Sequence, residues 1–409
     1  MWWEVPNHLK IKHGELYIAG KSAAKLGREA GTPVYVYNGK RVVENYRRFY
    51  STLKKYTERE LRVCYAMKAN SNPDILKLLK KEGAWVDVVS PEEAERALSV
   101  GFDSEKVLFT GTSVSNSDLK RISDMGIMVN IDSVSELKRL GRIGKSGMRV
   151  SIRMDPGING SGHSWKVTTA GRSSHGVPIK FSIPREEVLD VARMCESDSF
   201  RLAGLHIHVG SNWRTNEEIS EFINAVDLVL DTARQVSRAL GHELEFIDLG
   251  GGPGVRYMES QKEFPLDEYA RQICKRIDGS HLSLNAIAFE PGRYIVADSG
   301  IMLMEVVDVK KRYGDLIVGV NSGFNHMARA AMYDSYHEII NCAKAGKKAD
   351  THVVIAGNLC ETGDVFTKEP RLMPKPEEGD ILAIHNAGAY GYTMASRYNL
   401  RDLPKEIVL

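Results

Sequence analysis

The sequence predicts an α/β protein: a TIM-type (β/α)8 barrel over residues 38–295, joined to a mostly β domain made of residues 1–37 and 296–409. Three observations predict it. Short apolar, β-rich runs alternate with helix-like stretches about eight times, no GxGxxG opens the series, and after Pro291 the helical pattern thins out. Such alternation implies a parallel sheet, and roughly eight units of it close into a barrel. A doubly wound open sheet is the competing reading.

The strand-like runs are RVCYAM, WVDVVS, KVLFTG, MVNIDS, MRVSIRM, GLHIHVG, FIDLGGG and AIAFEPG. Between most of them lie helical patterns: PDILKLLKKEG, SPEEAERALSVG, NSDLKRISDMG, DSVSELKRLGR, SIPREEVLDVARM and the long NEEISEFINAVDLVLDTARQVSRALG. Several open on a helix-start signal such as Ser90-Pro91-Glu92-Glu93 and close on glycine. Residues 156–183 interrupt the beat with a Gly/Ser-rich insertion, a length that in a compact domain is usually functional. Downstream, IMLMEVVDVKK, DLIVGV, THVVIAG and DILAIHNAG read as strands, and LKIKHGELYIAG at the start reads as a hairpin that joins them.

The bulk numbers bound the function. With 409 residues, 43% hydrophobic, the chain can bury a large core. Its 55 Lys and Arg nearly balance 53 Asp and Glu, and no basic stripe appears, so a nucleic-acid partner is not expected. Five scattered cysteines without a CxxC pair suit reduced thiols, and MWWEVPNHLKIKHGEL lacks the pattern of a secretory signal, so a cytoplasmic protein is expected. No run approaches the ~18 apolar residues of a membrane span.

In a barrel of this kind the active site lies at the C-terminal strand ends. The first strand end presents Lys68, the second Asp87 and Ser90, and the sixth His206 and His208. The seventh presents Asp248 and Gly250-Gly251-Gly252, the eighth Glu290 and Arg293. Each alone has a plain explanation: a strand-end lysine is usually solvated, alternate histidines suit packing or metal ligation, and GGG is often only a tight turn. Together they fit a phosphorylated aldehyde cofactor. A lysine amine condenses with an aldehyde, and glycine amides in the loops after strands seven and eight suit a phosphate. A carboxylate such as Glu290 suits a pyridine nitrogen, and His208 offers a ring face. A phosphate-binding barrel aldolase would share the lysine and glycines but has no use for the C-terminal motifs.

YAMKAN, HIHVGS, DLGGG, EPGR, LCETGD and AGAYG occur in one order across nearly the whole chain. They resemble the motifs of the barrel-type (fold III, alanine-racemase-like) pyridoxal phosphate decarboxylases. The resemblance implies pyridoxal 5'-phosphate as cofactor, with no metal. It implies that Lys68 carries the cofactor, that His208 stacks on its ring, and that Asp87 sits beside the lysine. It gives Glu290 the ring nitrogen, and it gives Ser211, Gly251, Gly252, Gly292, Arg293 and Tyr390 cofactor contacts. It implies that Cys360 reaches the partner's site in a homodimer with shared active sites. A free cysteine titrates at ~8.5 and can donate a proton near neutrality. The barrel-type racemases carry arginine where this chain has Glu290, so the resemblance points to decarboxylation.

Within that family the chain most resembles members that convert meso-2,6-diaminopimelate to L-lysine and CO2, the last step of lysine biosynthesis. On that resemblance Arg329 and Tyr333, with Arg293 and Tyr390, contact substrate, and Glu361 meets its distal ammonium. The segment NSGFNHMARAAMYDSYHEI, if helical, puts Arg329 and Tyr333 four apart on one face. Three departures bear on the substrate: Ala330 stands where the family has proline, Asn321-Ser322 replaces an acidic strand end, and Ser174-His175-Gly176 replaces Lys-Phe-Gly. Another basic, carboxylated or carrier-linked amino acid is the alternative substrate. A non-catalytic cofactor-binding relative is the third reading, against which Lys68, Cys360 and Glu290 together speak.

Overall fold

The computed structural model describes residues 1–158, 169, 177–198 and 200–409. Most of the 156–183 insertion, including Ser174, His175 and Gly176, lies outside the described residues. The chain forms two compact units. One comprises Asn45–Val255 and Lys262–Tyr294; the other comprises Met1–Glu44, Arg256–Gln261 and Ile295–Leu409.

The first unit is the barrel. Its strands are Glu60–Ala66, Trp85–Val88, Val107–Phe109, Met128–Ile131, Arg149–Asp155, Arg201–His206, Phe246–Asp248 and Ala286–Phe289. Each pairs in parallel with the next, and Ala286–Phe289 returns to Glu60–Ala66, so the sheet closes. All eight are the apolar runs named above. They read as nearly continuous hydrophobic stretches because both faces are covered, one by helices and one by the barrel interior. The pairing also sets the site: the register places Ala66 beside Asp87 and His206 beside Asp248.

The helices begin where side chains satisfy their unpaired amides. Ser90, Ser115 and Ser133 each accept from the backbone N–H three residues on. Thr215 and Glu218 form a full capping box at the start of Asn216–Leu240, which ends on left-handed Gly241. Helix Leu266–Gly279, between strands seven and eight, was not singled out in the sequence. Its start is Pro265, which offers no side-chain cap, so the usual signal is missing. It contributes Tyr269 to an aromatic cluster with Phe222, Phe264 and Phe289.

The second unit is built on an eight-stranded mixed sheet. The long strand Gly300–Arg312 pairs antiparallel with Val34–Tyr37 and Ile381–Ile384 over its first half and with Asp315–Val320 over its second. Lys405–Val408 adds in parallel to Val34–Tyr37. The hairpin Leu9–Lys12/Glu15–Ile18 forms a separate small sheet. Leu9, Leu16 and Ile18 bury against Val34, Val36, Ile301, Leu303 and Ile381.

Phe289 is fully buried, edge-on to Phe49 at 5.9 Å and 6.2 Å from Tyr269. Phe289→Ala is expected to cost about 3–5 kcal/mol in urea unfolding, the usual loss when a core aromatic leaves a cavity. A loss below about 1 kcal/mol would contradict its place in the core.

Candidate active site

Chain direction delivers Lys68 to the barrel rim. The first strand ends at Ala66 and turns through a single 3-10 turn, Met67–Ala69. The buried Tyr65 hydroxyl donates to the carbonyl of Asn70 at 2.8 Å and closes that turn. Gly292 lies against it so closely that a Cβ there would stand 2.9 Å from that of Ala69, which is why EPGR carries a glycine. The Lys68 amine, partly exposed, donates to Oδ2 of fully buried Asp87 at 3.0 Å.

Below the lysine the barrel interior is polar. Glu290 Oε2 lies 3.3 Å from His206 Nε2, an approach misaligned for a hydrogen bond but close enough to be strongly electrostatic. His206, Asp248 and Glu290 present ligand atoms within 4.8 Å of one another, all buried. Ser151 donates to Asn130, Asn130 to Thr110 Oγ1 at 2.9 Å, and Thr110 to Glu290 Oε1 at 3.5 Å. Strands five, four and three thus brace the carboxylate that ends strand eight.

Charge is divided unevenly among the acids. Burial acts to raise Glu290, but His206 and then Lys68 outweigh it and pull the carboxyl down to about 2. Burial and the Glu290 charge push Asp248 well above the usual carboxylate range. Asp248 accepts the Gly250 N–H at 2.8 Å through Oδ1, and no described residue hydrogen-bonds its Oδ2. Burial and Glu290 also push Asp87 up, with Lys68 pulling the other way. Like charges this close disfavour one another, and the negative charge is favoured at Glu290 and disfavoured at Asp248.

His208 follows the sixth strand and faces the glycine loop. Its Nδ1 accepts the Gly251 N–H at 3.1 Å, so the ring proton sits on Nε2. Burial, then Lys68 and Arg153, drops its pKa from 6.5 to about 3 and keeps the ring neutral. Gly252, at φ +131°, would drive a Cβ to 2.4 Å from Trp213. Asn212 and Trp213 both donate backbone N–H groups to the Gly252 carbonyl, so the loops after strands six and seven are stitched together. Ser211, in the first of them, accepts from Arg293 at 3.4 Å.

In the other unit, Arg329 begins the short helix Arg329–Tyr333 and is buried. Its guanidinium lies 5.7 Å and 5.8 Å from the ring centres of Tyr257 and Tyr390. Tyr333, at the other end of that helix, is half-buried. Cys64, Cys195, Cys274 and Cys342 are buried, whereas Cys360 is exposed. The Asp364 carboxylate shapes its turn by accepting from Leu359 and Phe324 at 2.8 and 2.7 Å. Glu361, exposed, accepts from the Tyr398 hydroxyl. Asn321 braces two strands, accepting from Glu305 N–H at 2.9 Å and donating to Thr32.

The barrel thus brings together Lys68, Asp87, His208, Ser211, Gly251, Gly252, Glu290, Gly292 and Arg293, and the other unit places Arg329 beside Tyr390. Sequence reasoning missed Thr110, Asn130, Ser151 and Arg153. For three of them a signal exists, since Asn130, Ser151 and Arg153 each interrupt an apolar strand with a polar residue.

Residues 40–297 match the family described as "Pyridoxal-dependent decarboxylase, pyridoxal binding domain". Over 400 residues the chain is 39% identical to the diaminopimelate decarboxylase of Methanothermobacter thermautotrophicus, covering 97% of this chain and 91% of that one. It is 34% identical to the Escherichia coli K12 enzyme of the same name, covering 96% and 92%. Among solved structures, diaminopimelate decarboxylase from Methanocaldococcus jannaschii in complex with L-lysine superposes with a TM-score of 0.89 at 32% identity, covering 98% of this chain and 93% of that one.

His208 gives a pH prediction. A folded pKa of about 3 against 6.5 when unfolded means that the unfolded chain binds the extra proton first. Its contribution is whole above pH 6.5 and is lost as pH falls towards 3. Urea unfolding across that range is expected to show a shallower acid loss in His208→Phe than in the parent; equal slopes would contradict a buried neutral ring.

Proposed function

We propose that this chain, which belongs to the diaminopimelate decarboxylase family of pyridoxal-dependent decarboxylases, converts meso-2,6-diaminopimelate to L-lysine and CO2. The observation that carries the chemistry is the rim itself: an amine on a buried carboxylate, an ionised Glu290 and a neutral His208 around a glycine loop. The substrate rests on the likeness along the whole chain and on the buried cation Arg329.

The residues fit pyridoxal phosphate. Asp87 Oδ1 and Asp248 Oδ2 are buried oxygens without a hydrogen-bond partner among the described residues, an arrangement suited to a polar ligand overhead. Lys68 would be the covalent anchor, oriented by Asp87. His208 would offer its ring face to the cofactor ring, and Glu290 a carboxylate to the ring nitrogen. Gly251, Gly252, Gly292, Ser211, Arg293 and Tyr390 would hold the phosphate end. When bound, the cofactor supplies an electron sink for the pair left on Cα as CO2 departs. Cys360 then delivers its thiol proton to Cα, which completes the amine product.

Arg329 offers a planar fork to the distal carboxylate, with Tyr333 and Arg293 as further donors, and Glu361 meets the distal ammonium. The exposure of Cys360 and Glu361 supports their serving the partner protomer of a homodimer. Residues 38–295 form the cofactor domain in this reading, and the remainder supplies substrate and interface residues. We place the enzyme in the cytoplasm, and among the described residues no helix is long and apolar enough to cross a membrane.

A substrate panel tests this reading. CO2 release is expected from the meso isomer and not from ornithine, arginine or either lysine enantiomer. Cys360→Ala is expected to lower kcat by about 10²–10⁴-fold, the usual worth of a general acid. Turnover of ornithine in preference to the meso isomer would replace the proposed substrate.

A further inference from the structure

We propose that His337 is a positioning residue for substrate selection: it fixes the plane of the Arg329 guanidinium and thereby sets affinity for the distal carboxylate. The proposal rests on the reading that Arg329 takes that carboxylate.

Local folding puts His337 there. The short helix ends on Asp334, a residue tolerant of the left-handed turn it adopts at φ +52°. The reversed chain lets Ser335 N–H return to the Arg329 carbonyl at 3.3 Å. The chain then enters strand Ile339–Asn341, which pairs antiparallel with Ile381–Ile384. That pairing continues through His385 N–H to the Glu338 carbonyl at 2.9 Å. It also brings the His385 carbonyl to 2.8 Å from His337 Nδ1.

That contact decides the tautomer. A carbonyl oxygen only accepts, so Nδ1 carries the proton and donates. The Nε2 of the same ring lies 3.4 Å from Arg329 Nε, whose hydrogen points at it. A doubly protonated ring would set N–H against N–H and cation against cation, with both side chains buried at 4% and 2% exposure. The imidazole is therefore neutral, with its Nε2 lone pair accepting from the guanidinium. Tyr257 meets the same ring edge-on at 5.3 Å. Arg329 Nη2 donates to Ser335 Oγ at 3.2 Å, so two bonds on different nitrogens define the guanidinium plane.

The consequence is preorganisation. A long arginine side chain held before substrate arrives loses less freedom on binding, and its planar fork already lies in one orientation. Neither His337 nor Ser335 is an anion, so neither competes with a carboxylate for the charge.

The test compares His337→Phe, which keeps a ring but has no acceptor, with His337→Gln, whose amide oxygen reaches the Nε2 position. Each is made in the parent and in the Arg329→Ala background and loaded with cofactor. The probes are 2-aminopimelate, which has the distal carboxylate without the amine, and L-lysine, which has the amine without the carboxylate. His337→Phe is expected to raise KM for the meso isomer and the inhibition constant of 2-aminopimelate about tenfold, as loss of one charge-assisted bond does. Its kcat and its L-lysine inhibition should stay within about twofold, His337→Gln should recover most of the loss, and His337→Phe should add nothing once Arg329 is alanine. An additive loss, an equal loss for L-lysine, or a glutamine variant as poor as phenylalanine overturns the proposal. If Arg329→Ala leaves 2-aminopimelate inhibition unchanged, the substrate reading itself falls; if only His337→Phe is silent, the positioning role alone falls. Nitrogen-15 NMR of the unmutated protein gives an independent check: an Nε2-protonated His337 overturns the proposal even if no variant folds.

Discussion

A single electrostatic constraint governs the barrel: Asp87, Asp248 and Glu290 are buried so close together that three negative charges cannot coexist. The protein resolves this by position. Lys68 faces Asp87 and His206 faces Glu290, whereas Asp248 has a backbone N–H on one oxygen and is pushed towards its neutral form by burial and the Glu290 charge. Glu290 is left to carry the charge in a buried site, where a charge interacts more strongly than in water. Thr110, linked through Asn130 to Ser151, donates to its other oxygen at 3.5 Å. Remove this arrangement and Lys68 is again a solvated strand end.

The β-rich unit applies a different solution to a similar cost. Arg329 is buried among aromatic rings and neutral acceptors, so its charge is stabilised by ring faces and its plane by His337 and Ser335. Cys360 and Glu361 are kept exposed on a turn that Asp364 ties down from within. The proposed substrate contacts therefore fall into two kinds: one buried among rings and neutral acceptors, the other exposed.

Much of the barrel was legible because its signals are local and repeated. Eight apolar runs, several of them followed by a start residue such as Ser90, Ser133 or Thr215, favour a barrel over an open sheet. Lys68, Asp87, His208 and Glu290 stand out because each ends or interrupts an apolar strand. Helix Leu266–Gly279 and strand Val34–Tyr37 were not singled out, the first because it lacks a side-chain cap, the second because its partners lie far off in sequence. Thr110, just past the end of strand three, looks ordinary until closure of the sheet brings strands three and eight together. His337 was invisible for a related reason: what it does depends on the carbonyl of His385, 48 residues away.

The proposed chemistry depends most directly on Lys68 as the covalent anchor. Purified protein loaded with pyridoxal phosphate, reduced with borohydride and digested, should carry the pyridoxyl mass on the peptide containing Lys68, and Lys68→Ala should carry none. A pyridoxyl group on a different lysine, or no covalent label on a protein that nonetheless releases CO2 from the meso isomer, would contradict it.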